Sequence, residues 1–134
     1  MIVIHDIPLI ALQTALFSII KNGQTMPIYG NVPTDAELPY ITFGAITAKP
    51  IAVKDMNVWG MSITLDVWGA ETDKQLVNEA INDLSALITF HGDTLEIQNF
   101  KVVDTQIDLA ECFPASEGGY HGDLTAVFKL NKSS

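Results

Sequence analysis

The sequence predicts an α+β fold, a largely antiparallel β-sheet with two main helices packed on one face. Three observations predict it. Apolar residues recur at three- and four-residue spacing in two segments, and they alternate strictly in several others. The order is helix, strands, helix, strands, unlike the regular βα alternation of a parallel sheet. A length of 134 residues fits a single domain, 1–134 with 131–134 as a frayed tail, which buries roughly two-thirds of its unfolded surface.

The first helix opens with Asp6 as N-cap and Pro8 in the first turn, where a missing N–H costs nothing. Leu9, Leu12, Leu16 and Ile19/Ile20 form its apolar stripe, and Asn22-Gly23 is a left-handed C-cap signal. Residues 24–39 hold Pro27, Pro33 and Pro39 and read as irregular, with a short extended piece at Ile28-Tyr29. Pro39 to Ala48 alternates and is rich in β-formers, so it reads as a strand that Lys49-Pro50 breaks. Ile51 to Asn57 then reads as an exposed connection or a long hairpin arm. In the next segment Trp59, Met61, Ile63, Leu65 and Val67 share one face, while Ser62, Thr64 and Asp66 share the other; Gly69 ends this strand.

Thr72, with Gln75 three residues on, reads as a capping box that starts the second helix. Its buried stripe is Leu76/Val77, Ala80/Ile81, Leu84 and Leu87/Ile88. Thr94 to Leu109 is extended with a break near Asn99, after which Val103, Thr105, Ile107 and Leu109 alternate with Asp104, Gln106 and Asp108. Ala110 to Gly119 reads as a loop, and Tyr120 to Leu130 as a last strand with Leu124, Ala126, Phe128 and Leu130 on one side.

Charge excludes more than it specifies. Sixteen acids face seven lysines, the formal charge is −9, and there is no arginine. Arginine is the usual bidentate clamp for phosphate, and the lysines are scattered along the chain, so no basic footprint for nucleic acid exists. Met1 to Asp6 has no basic start and too short an apolar run for a signal peptide. The apolar run Ile7 to Ile20 is interrupted by Gln13, Thr14 and Ser18 and falls short of the ~20 residues of a bilayer span. Cys112, the only cysteine, reads as a small semi-apolar residue, and a reducing compartment of synthesis suits it. Against this charge stands an apolar fraction of 48% and a positive mean hydropathy, a surplus that another subunit would cover.

No phosphate loop and no nucleophile elbow is present. Cys112 has an acid, Glu111, beside it rather than a thiolate-stabilising cation. His-Gly-Asp occurs twice, at 91–93 and 121–123; a metal site would need the two to converge, and a turn and a strand entrance account for them more simply. Paired acids such as Asp104/Asp108 and Glu111/Glu117 read as solvated, and His5 as a surface or interface residue. The expectation is therefore no enzyme, no cofactor and no metal. Trp59 and Trp68 lie on opposite faces of one strand, one in the core and one at an edge, beneath a helix or at a subunit contact.

Four blocks together resemble a known family: Pro8-Leu-Ile-Ala-Leu-Gln-Thr-Ala-Leu16, Leu38-Pro-Tyr-Ile-Thr-Phe43, Ile63-Thr-Leu-Asp-Val-Trp-Gly69 with the capped helix after it, and Tyr120-His-Gly-Asp-Leu124. In order and spacing they are similar to the siphophage tail completion proteins, also called tail terminators or tail-to-head joining proteins. The resemblance covers about Ile7 to Leu130. It implies a small subunit that forms a ring, usually of six, on the end of the finished tail tube. Such a ring stops tube growth and docks to the head completion (stopper) protein, and DNA passes through it without specific binding. It also implies a place at the head–tail junction of the virion, with host cytoplasm as the site of assembly, and no membrane, catalysis or cofactor. Interface candidates are Lys49, Ile51, Val53, Lys54, Asp55, Met56 and Asn57, together with Phe113 and Glu117 in the 111–119 loop. The alternative is a stand-alone oligomeric module that binds a protein or a small ligand.

Overall fold

The computed structural model describes residues 7–53 and 56–133; of Ala52, Val53 and Met56 only the backbone is described. The expected cap Asp6, His5, and the candidates Lys54 and Asp55 lie outside the described residues. Helix α1 spans Leu9–Gly23, β1 Ile28–Tyr29, β2 Tyr40–Val53 and β3 Met56–Gly69; α2 spans Lys74–His91, β4 Phe100–Pro114 and β5 Tyr120–Lys132. The five strands lie in the order β1-β2-β3-β5-β4, antiparallel throughout except for the short β1–β2 pair. This is the expected α+β architecture.

Both helices cover one face of the sheet. Leu12, Leu16 and Ile20 of α1 and Val77, Ala80, Ile81, Leu84 and Ile88 of α2 are buried against Ile41, Met61, Ile63, Leu65, Val67, Leu124, Ala126, Phe128 and Leu130. The alternation in β3 and β5 therefore meets the two helical stripes as the sequence predicts. Leu76 departs from the expected stripe and is exposed.

Both helix ends differ from expectation. Positive φ among the described residues occurs at Asn99, Gly118 and Gly119, not at Gly23. Instead α1 runs through Gly23, and Gln24 turns extended and caps it with its side chain. The Gln24 Nε2 donates to the Ile20 and Met26 carbonyls at 3.2 and 2.7 Å, and its Oε1 accepts from the Met26 N–H at 2.7 Å. The glycine serves helix packing: a Cβ at Gly23 would lie 2.4 Å from Leu87 Cδ2 on α2. At α2, a 3₁₀ turn over Glu71–Asp73 precedes the helix, and Asp73 Oδ2 accepts from the Ala70 N–H at 2.8 Å; Thr72 is not the cap.

The strands also run further than expected. Lys49-Pro50 does not break β2, which continues to Val53 and pairs residue by residue with β3 down to Val53↔Met56. Pro50 is tolerated because β1 flanks β2 only at Ile41 and Thr42, so this part of β2 is a free edge. Residues 51–53 and 56–57 thus pair as the end of a long hairpin. Strand β4 likewise continues through Cys112 to Pro114, which shortens the expected loop to five residues between Pro114 and Tyr120. Two irregularities, between Val102 and Asp104 and between Ile107 and Leu109, shift its register on β5. Each inserts an extra residue and reverses which face the strand shows. Val103 and Leu109 are consequently half exposed, whereas Val102 is buried and Thr105 and Ile107 share the faces of Phe128 and Ala126.

Candidate functional site

Residues paired across an antiparallel ladder share a face, so the register assigns the side of the sheet away from the helices. It carries Thr42, Thr47, Lys49 and Ile51 of β2, and Ser62, Thr64, Asp66 and Trp68 of β3. Strand β5 adds His121, Asp123, Thr125, Val127 and Lys129, and β4 adds Asp104, Gln106, Leu109, Glu111 and Phe113. No described helix lies over this face.

Its polar centre is the cross-strand pair Thr64–Thr125, whose hydroxyls are 3.0 Å apart. Toward the β4–β5 turn the surface becomes aromatic and charged. The Trp68 ring stacks on His121 with centroids 4.1 Å apart and planes at 26°, and Phe113 tilts against the same imidazole with centroids 5.1 Å apart. The Trp68 indole N–H donates to Thr42 Oγ1 at 2.9 Å, which holds the ring in place. His121 Nε2 lies 3.0 Å from Asp66 Oδ1, the one histidine–carboxylate contact among the described residues.

The two predicted surfaces do not come together. Lys49, Ile51 and Asn57 sit on the β2–β3 hairpin; Phe113 and Glu117 sit at the β4–β5 hairpin. Gly69 pairs with Tyr120 while Val58 pairs with Asn131, so these hairpins project from opposite ends of the sheet. The 14 residues of β3 separate them by on the order of 45 Å. Phe113 is a strand residue on the open face opposite His121, and Glu117 lies in the turn closed by Gly118 and Gly119. Trp68, rather than Trp59, is the exposed member of the tryptophan pair; Trp59 packs on the core.

Cys112 and His121 do not form a nucleophile–base pair. Cys112 pairs with Gly122 and packs on the core side, while His121 occupies the opposite face. Burial pushes its thiol pKa up, and the carboxylates of Asp123 and Glu111 push it further in the same direction. The two His-Gly-Asp tripeptides do not converge either. His91 ends α2 on the helical side, whereas His121 meets Asp66 on the open side. Periodicity alone carried no signal for Asp66 as a partner of His121, because 55 residues separate them. No described helix is long and apolar enough to cross a membrane.

Comparison with known proteins agrees with this architecture. In fold, the chain is similar to a chain of a solved structure described as the virion of a native gene transfer agent particle. The TM-score is 0.70 at 13% identity, and the match covers 90% of this chain and 94% of that one. No curated protein matches it in sequence. Residues 13–127 match the family profile described as tail completion protein gp17. Since that match runs from the second turn of α1 through β2, β3, α2 and β4 into β5, the chain belongs to the tail completion protein gp17 family, and is a structural protein of the phage tail.

Proposed function

We propose that this subunit assembles as a ring of six on the end of the finished tail tube, stops its growth, and joins the tail to the head completion protein. Family membership over residues 13–127 carries this reading. The fold supports it: hairpins at opposite ends of one sheet give a subunit two separated contact regions, as a joiner between two partners needs. Lys49 to Asn57 serves one contact and Phe113 with Glu117 the other. DNA passes through the ring without specific binding, since a chain of charge −9 with no arginine and scattered lysines has no basic footprint for phosphate and repels it where acids face the bore. Catalysis and cofactors have no part in this role.

The test is assembly. Deleting residues 53–55 leaves the far-UV spectrum and the melting transition of the subunit close to wild type but yields tails that do not join heads in electron micrographs. Wild-type joining by the deletion would remove the first surface from the proposal. A basic or neutral bore in the assembled ring would remove the electrostatic part. Phe113→Ala with Glu117→Ala examines the second surface in the same assay.

A further inference from the structure

The open face holds one cluster that the joining role does not use. Asp66, His121 and Asp123 each offer a donor atom, and these atoms lie within 4.8 Å of one another, the one such group of three among the described residues. We propose that it is a binding site for a first-row divalent cation, with zinc the best fit.

Donor set and spacing point the same way. One imidazole nitrogen with two carboxylate oxygens suits zinc and its neighbours, whereas magnesium and calcium prefer shells made of oxygen alone. Two ligands each about 2.0–2.1 Å from a tetrahedral zinc are roughly 3.3 Å apart. His121 Nε2 and Asp66 Oδ1 already stand at 3.0 Å, close to that spacing, and the three donor atoms of the group lie within 4.8 Å of one another. Three protein ligands leave one position for water.

The sheet register supplies an independent reason. Asp66 is directly opposite Asp123, and Asp123 is directly opposite Glu111 on its other side. Carboxylates facing one another across a ladder destabilise it. Here three stand in a row on adjacent strands, and no lysine forms an ion pair with any of them among the described residues. A divalent cation brings two positive charges to that row. The surroundings also prepare the ligand: Trp68 and Phe113 hold the His121 ring from two sides, and Thr42 fixes Trp68. Side chains of His121 and Asp66 are 16% and 19% exposed, enough for an ion to reach them from solvent.

Zinc chloride titrated into the purified full chain by calorimetry tests this. About one Zn²⁺ per chain binds, saturating below roughly 0.1 mM, and the melting temperature rises by roughly 5–10 °C in excess metal. His121→Gln and Asp123→Asn each weaken binding at least tenfold, while His91→Gln and His5→Gln leave it unchanged. Calcium chloride at the same concentration gives no saturable heat. Absence of saturable zinc binding overturns the site. So does zinc binding that neither His121→Gln nor Asp123→Asn weakens tenfold, which would leave Asp66 and His121 as a simple hydrogen-bonded pair.

Discussion

Gly122, the middle of the second His-Gly-Asp tripeptide, lies where α2 packs close against β5. A Cβ built there would lie 2.8 Å from Ile81 Cγ1, 2.9 Å from Val77 Cγ1 and 3.1 Å from Ile81 Cδ1. Both partners are buried on a helix that also packs against β3 and β4, so they have little freedom to retreat. Gly122→Ala therefore sets two effects against each other. Lower unfolded-chain entropy stabilises by about 0.4–1 kcal/mol, and overpacking costs about 1–3 kcal/mol. The clash wins, and a net loss of about 1–2 kcal/mol follows. A urea denaturation series at constant m-value reads it. Ile81→Ala alone costs about 2–5 kcal/mol by leaving a cavity, but it clears two of the three close contacts. The double variant should therefore lose less than the sum of the single losses, by about 1 kcal/mol. Neutral or stabilised Gly122→Ala, or strict additivity with Ile81→Ala, would refute the reasoning.

Phe128 is 1% exposed at the centre of the core, so Phe128→Ala should cost about 3–5 kcal/mol by chemical denaturation. Gln24→Ala removes three hydrogen bonds at the end of α1 and should cost about 1–2 kcal/mol, read as a melting temperature lower by several degrees. Because burial first, and then Asp123 and Glu111, raise the Cys112 thiol, its thiolate fraction at mildly alkaline pH is below that of a free cysteine. Alkylation by iodoacetamide in the folded protein should be slower than in urea, and its rate should keep climbing above the pH at which the unfolded chain levels off. Equal rates folded and unfolded would contradict that assignment.

Local pattern was sufficient wherever one periodicity ran unbroken. The stripes of α1 and α2 and the alternation of β3 and β5 name most of the core, because a side chain's direction follows from its place in a 3.6- or 2-residue repeat. Charge and the missing arginine were equally legible, since composition needs no coordinates. Element ends were less so. Gly23 and Pro50 carry strong local signals for a cap and a break, yet the close approach of Leu87 and an unpaired strand edge decide both.

Register belonged to the tertiary structure alone. Two irregularities in β4 turn Val103 and Leu109 outward, and only pairing with β5 reveals them, because an inserted residue looks like any other until a partner strand counts against it. The same pairing sets Asp66, Asp123 and Glu111 in one row and brings His121 to Asp66 across 55 residues. The acidic character of the chain was written in its composition. Where those acids meet was decided by strands far apart in sequence, whose alignment depends on burying their other face beneath the two helices.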